Sequence, residues 1–161
     1  MKNDISNTFK EKLYECDKHV EKIATAKKNL SEIMPLDILK YKVLSDMHSS
    51  FIDQLVFRFS KLQDTIGESI FPAILILSQE DVKKKTFIDR LNRLEELEVI
   101  DKDKWLKLRE VRNEISHEYS FNIEEVIESI LDVYDKSNEL IEIYLHIKDF
   151  CQKKFYLEFI K

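Results

Sequence analysis

Apolar residues recur at three- and four-residue spacing along almost the whole chain, the pattern of amphipathic helices rather than of alternating strands. A first stripe of Ile5, Phe9, Leu13, Cys16, Val20, Ile23 and Leu30 predicts a helix over about 4–32. Pro35 then interrupts the pattern, and Asp37 is a candidate cap beside it. A second stripe runs through Leu39, Val43, Phe51, Leu55, Phe59, Leu62, Ile66 and Ile70. It predicts a longer helix reaching about 77, kinked or broken at Pro72, which has no amide hydrogen to donate. Residues 79–85 are polar and read as a loop. Thr86 with Asp89 reads as the cap of a third helix over about 87–99. Asp101 or Asp103 would cap a fourth, carrying Trp105, Leu108, Val111 and Ile115. The period fails from Tyr119 to Phe121, and Asn122 with Glu125 resembles a capping box. The fifth helix then runs to about 155 through Val126, Ile130, Tyr134, Ile141, Tyr144 and Ile147. No internal repeat or linker divides the chain. The expected fold class is all-α, with residues 1–161 forming one antiparallel up-and-down bundle of about five helices.

Composition narrows the chemistry such a bundle can do. The 161 residues include one glycine, against roughly eleven at average usage. That excludes a P-loop and a dinucleotide fingerprint, both of which need several glycines to bring backbone against phosphate. Any chemistry here is therefore carried by side chains on helices. Charged residues make up 35% of the chain and hydrophobic ones 43%, which fits a well-solvated bundle with a real core. The net charge of −5 argues against indiscriminate nucleic-acid binding and leaves room for a local basic site. Cys16 and Cys151 lie near opposite ends and read as core fillers, so a reducing cytoplasm is the expected location. No apolar run approaches the roughly 18 residues of a membrane span. Residues 1–12 are charged throughout and do not read as a signal peptide.

None of the four histidines, His19, His48, His117 and His146, has zinc-site spacing with another histidine or a cysteine. No metal and no cofactor is expected. His19, His48 and His146 read as surface or boundary residues of long helices. The lysines at 83–85 read as solvated loop charges.

One stretch is denser in chemistry than the rest. Residues 109–119 hold two arginines, an asparagine, a serine, a histidine and a tyrosine where the fourth helix ends. Arg109 and Asn113 share a helix face at four-residue spacing, as do Asn113 and His117. Arg112 and His117 are five apart, roughly 140° around an ideal helix, so one straight helix would not converge them. A distorted helix end, the long arginine side chain or a partner subunit could. By spacing alone, the stretch also fits a helix C-terminus carrying cations that complement the macrodipole. Upstream, Arg58 and Lys61 lie three apart on one face. They are candidate cleft cations, or paired surface charges.

The segment Arg112-Asn113-Glu114-Ile115-Ser116-His117-Glu118-Tyr119 resembles the signature of the HEPN superfamily. That signature is an arginine, a polar residue directly after it, and a histidine beyond four intervening residues. The tyrosine two further on resembles the extended motif of HepT-type toxins, which are paired with a minimal nucleotidyltransferase antitoxin. The resemblance implies a small all-α bundle with the motif late in the chain, before a last long helix. It covers most of the chain but not its first 30 or so residues. It further implies a metal-independent endoribonuclease acting as the toxin of a bacterial pair. His117 would move the proton, Arg112 would bind the scissile phosphate, and Asn113 would orient His117 or donate to a phosphate oxygen. Arg109, Arg58 and Lys61 would be RNA contacts. The protein would work as a homodimer, and the antitoxin would adenylylate Tyr119. Residue by residue, Tyr119 also fits a half-buried aromatic closing the helix. The competing readings are a non-catalytic helical binding module that partners a separately encoded nucleotidyltransferase, and a plain interaction protein.

Overall fold

A computed structural model of the chain describes residues 2–115 and 121–155, and the described residues are helical with short connections. Helix α1 is Lys2–Leu30, followed by a single 3-10 turn at Ser31–Ile33. Helices α2 (Ile38–Lys42) and α3 (Asp46–Thr65) follow. A turn of π-helix at Ile66–Ile70 leads into α4 (Phe71–Leu77). Helices α5 (Phe87–Glu96), α6 (Lys102–Glu114) and α7 (Ile123–Phe155) complete the bundle. The all-α class is as expected.

The helix starts are set by local caps. The Asp37 carboxylate accepts from the Lys40 amide at 2.8 Å. Thr86 and Asp89 form a reciprocal capping box. Of the two candidates for α6, Asp101 is the cap, accepting from the Lys104 amide. Asn122 Oδ1 accepts from the amides of Glu124 and Glu125. Each cap satisfies amides that a helix's first turn cannot pair internally.

The expected second helix departs from its reading twice. It breaks after Lys42, and Ser45 starts α3 afresh by accepting from the His48 amide at 3.0 Å. Leu39 and Val43 therefore leave the apolar stripe and are 76% and 80% exposed. The second departure is a widened turn just before Pro72, through which the helix continues. The Phe71 amide reaches back five residues to the Ile66 carbonyl, the widened π spacing. Pro72 then sits in the first turn of α4, where a missing amide hydrogen leaves no gap in the ladder.

With one glycine in the chain, two helices end on other residues in the left-handed region. Gln79 (φ 62°) follows α4 and Glu98 (φ 63°) follows α5. In each case the next amide closes a loop five residues back, Glu80 to Leu75 and Val99 to Leu94. This is the helix-ending geometry that glycine usually supplies. Helix α5 accordingly stops at Glu96, three residues before the expected limit.

Helix α1 packs mainly on α3, and α7 packs against α3, α6 and α1. Phe9, Leu13, Cys16 and Ile23 of α1 join Leu55, Phe59 and Leu62 of α3 and Leu140, Tyr144 and Ile147 of α7 in one buried cluster. Both cysteines are free and buried, as their apolar stripes suggested. The π turn carries Gly67, where an added Cβ would stand 3.4 Å from Cζ2 of the Trp105 side chain. Phe71 meets the same indole edge-on, with ring centroids 4.8 Å apart. These contacts seat α6 against the α3–α4 corner.

Candidate functional site

Arg112 lies in the last turn of α6 and is half-buried. Its guanidinium grips Asp64 of α3 as a fork, Nε to Oδ1 and Nη2 to Oδ2, both at 3.1 Å. A bidentate pair of this kind fixes the plane of the guanidinium as well as its position. It uses two of the five N–H donors an arginine carries.

This ion pair stands between two clefts. One, of about 630 Å³, lies between α3 and α7 and is lined by Asp53, Phe57, Lys61, Asp64, Arg112 and Ser129 among others. The second, of about 760 Å³, lies where the end of α3, the π turn, α5 and α6 meet. Arg90, Arg109, Arg112 and Asn113 line it, facing Asp64 and Glu68. Arg109 is exposed and lays its guanidinium carbon 4.0 Å from the centroid of the Phe87 ring. Gln63 also lines this cleft and is 3% exposed. Among the described residues neither its carboxamide oxygen nor its nitrogen finds a hydrogen-bond partner.

The candidate residues thus divide into groups. Arg109, Arg112 and Asn113 share the second cleft, and Lys61 joins Arg112 in the first. Arg58 does not join them. Its Nη1 stands 3.1 Å from Nδ1 of His19, between α3 and α1, and its guanidinium flanks the Phe57 ring at 5.5 Å. Arg58 lies six residues before Asp64, roughly 120° away around α3, so it meets α1 while Asp64 meets α6. His117 and Tyr119 lie outside the described residues, and so does any approach of Arg112 to His117.

The other histidines are structural. His19, read as a surface or boundary residue, is buried, and burial together with the Arg58 charge holds its pKa below the usual value. His48 pairs with Glu32 at 2.8 Å, and His146 meets the Glu98 carbonyl at 2.8 Å. Burial pushes the Cys151 thiol up to about 12 and the Cys16 thiol higher still, so neither offers a thiolate near neutrality. Among the described residues no cluster of histidine, cysteine and carboxylate groups could hold a metal ion, and no helix is long and apolar enough to cross a membrane.

Asp64 and Gln63 did not stand out from sequence motifs. The available signal was a polar and small-residue stripe, Ser60, Gln63, Asp64 and Gly67, at the i, i+3, i+4, i+7 spacing of one helix face. Such a stripe inside an otherwise apolar helix marks a face that meets something other than core.

No family model, no curated protein and no solved structure matches the chain.

Proposed function

We propose that this protein is a metal-independent endoribonuclease, the toxin of a bacterial toxin–antitoxin pair. The observation that carries this reading is the Arg112-Asn113-x-x-x-His117-x-Tyr119 sequence, joined to an Arg112 that Asp64 braces at the edge of two clefts.

The chemistry needs few groups. RNA supplies its own nucleophile, so His117 has only to take the proton of the 2′-hydroxyl as that oxygen attacks the adjacent phosphorus. His117 returns that proton to the 5′-oxygen as the P–O5′ bond breaks, and the products end in a 2′,3′-cyclic phosphate and a 5′-hydroxyl. A histidine with an ordinary pKa near 6.5 suits such transfer at neutral pH. Arg112, permanently charged, stabilises the extra negative charge on the phosphorane. Asn113 orients His117 or donates to a phosphate oxygen. Arg109 and Lys61 supply positive charge that the overall balance of −5 lacks. A homodimer would let Arg112 of one subunit meet His117 of the other, relieving the five-residue spacing. Adenylylation of Tyr119 by a nucleotidyltransferase antitoxin would add bulk and negative charge beside His117 and so silence cleavage.

The test compares wild type with His117→Ala on tRNA and mRNA in the presence of a chelator. Wild type should leave 2′,3′-cyclic phosphate ends, and the variant should cut at least about 100-fold more slowly, the lower range for loss of a general acid–base group. Equal cleavage by both, or none by wild type, overturns the enzymatic reading. In the second case a non-catalytic module partnering a nucleotidyltransferase takes its place.

A further inference from the structure

We infer that the cleft bounded by the end of α3, α5 and α6 is a nucleotide-binding site in which Gln63 reads the edge of the base. Three features of different chemistry meet there. The first is Gln63 itself, a buried side chain whose donor and acceptor both lack partners among the described residues. Buried polar groups are almost always paired, so two orphaned atoms on one amide call for a partner beyond the described residues, and the open cleft beside them is where a ligand can supply it. Gln63 lines the cleft, and its broad terminal torsion lets the amide present either its oxygen or its nitrogen on that side.

The second feature is charge. Three arginines, Arg90, Arg109 and Arg112, line the same cleft against two carboxylates, Asp64 and Glu68. This local excess of positive charge occurs in a chain with a net charge of −5. Arg90 donates from Nη2 to the Val82 carbonyl at 2.6 Å, while its buried Nε lacks a partner among the described residues. The third feature is a layered flat surface, the Arg109 guanidinium 4.0 Å from the centre of the Phe87 ring.

A carboxamide pairs a donor with an acceptor, as the edge of a nucleobase does. Arginines suit phosphate, and a ring–guanidinium layer suits the face of a base. Phosphate alone would leave Gln63 and the flat layer unmatched. A nucleotide presents all three complements, and a volume of about 760 Å³ accommodates one. The site goes beyond the ribonuclease reading and does not depend on cleavage. A free nucleotide and one residue of an RNA strand carry the same groups.

The experiment is calorimetric titration of the full-length protein with each of the four 5′-mononucleotides in chelator. In parallel, a single-stranded hexanucleotide is titrated into His117→Ala, so that no turnover occurs. One mononucleotide should bind in preference to the others. Gln63→Leu, close in size, should weaken it by roughly tenfold, the usual loss for a bidentate base contact, and level the preference among bases. The same variant should melt no lower than wild type, because it removes an unpaired buried amide. Arg109→Ala should weaken all four nucleotides alike. Parallel loss of hexanucleotide binding when Gln63→Leu is added to His117→Ala identifies an RNA residue as the occupant; loss of mononucleotide binding alone identifies a free nucleotide. Absence of mononucleotide binding, unchanged binding by Gln63→Leu, or a large drop in its melting temperature overturns the inference. Cleavage by wild type is scored separately, so an active ribonuclease with no nucleotide site would sink this proposal and leave the other standing.

Discussion

Burial and the neighbouring Arg58 together set the protonation of His19. A guanidinium can only donate, so Nδ1 of His19 accepts and the ring hydrogen sits on Nε2. That hydrogen faces Glu15, whose Oε1 lies 3.7 Å from Nε2, beyond hydrogen-bond reach. Burial and the neighbouring Arg58 charge both disfavour a second proton, and they outweigh the pull of Glu15. The folded pKa of His19 thus lies below its unfolded value of about 6.5. The unfolded chain then binds the proton at higher pH than the folded one. Stability is complete above about 6.5 and declines as pH falls toward the lowered folded value. Glu15 is also held below its ordinary value: burial pushes its carboxyl up, but Lys12 and His19 outweigh that, so its loss falls at lower pH. Urea unfolding at pH 7.0 and 5.5 should show wild type losing more stability on acidification than His19→Gln. Equal losses would clear His19 as the source.

Helix α5 shows most directly how one short element is held and what it holds. It has only ten residues, too few to be stable alone, and it supplies Phe87 and Arg90 to the second cleft. Its start depends on the Thr86–Asp89 box, its side on the Arg93–Glu80 pair at 2.8 Å, and its end on the left-handed Glu98. Thr86→Ala should lower the unfolding free energy by about 1 kcal/mol, the usual loss for a threonine cap. Chemical denaturation reads this directly, and a change within error would show that the packing of Leu91 and Leu94 alone sets the element. Caps such as Thr86, Asp37 and Asp101 were legible in the sequence because a side-chain oxygen and the amide it serves are three residues apart. Glu98 and Gln79 were not, since glycine is the usual sign of a helix ending in the left-handed region. The Ser45 cap was hidden by apolar residues at 39 and 43 that continued the stripe of α3 in register without being buried by it. The site was legible to the same local extent. Arg112 and Asn113 follow from a motif on one helix, whereas Asp64 sits 48 residues away and reaches Arg112 only through the packing of α3 on α6.

Across the whole molecule, the longest-range polar contacts tie the first helix to the last. Tyr144 of α7 shares its hydroxyl proton between the Leu13 carbonyl at 2.9 Å and Asp17 at 2.7 Å. Lys148 closes on the same Asp17 at 3.0 Å. About a dozen residues along, Lys27 of α1 donates to the Tyr134 carbonyl at 2.7 Å and to Asn138 at 3.0 Å. Helix α1, which the motif resemblance does not cover, is therefore integral to the core from Phe9 to Leu30 and not an appendage. Trp105, the one tryptophan, lies in α6 and is 2% exposed, so its emission reports a part of the bundle that these α1–α7 contacts do not touch. If the chain is one cooperative unit, damage at one place must appear at the other. Tyr144→Phe removes the hydroxyl that serves both the Asp17 carboxylate and the Leu13 carbonyl and should cost about 1–3 kcal/mol, the range for a hydrogen bond to a charged group. The melting midpoint should fall by roughly 2–4 °C per kcal/mol for a chain of this size. Tryptophan emission and far-ultraviolet circular dichroism should shift together by that amount, the mark of a two-state transition. A split dichroism curve with an unmoved tryptophan transition would instead show that the α1–α7 pair unfolds separately from the helices carrying the clefts.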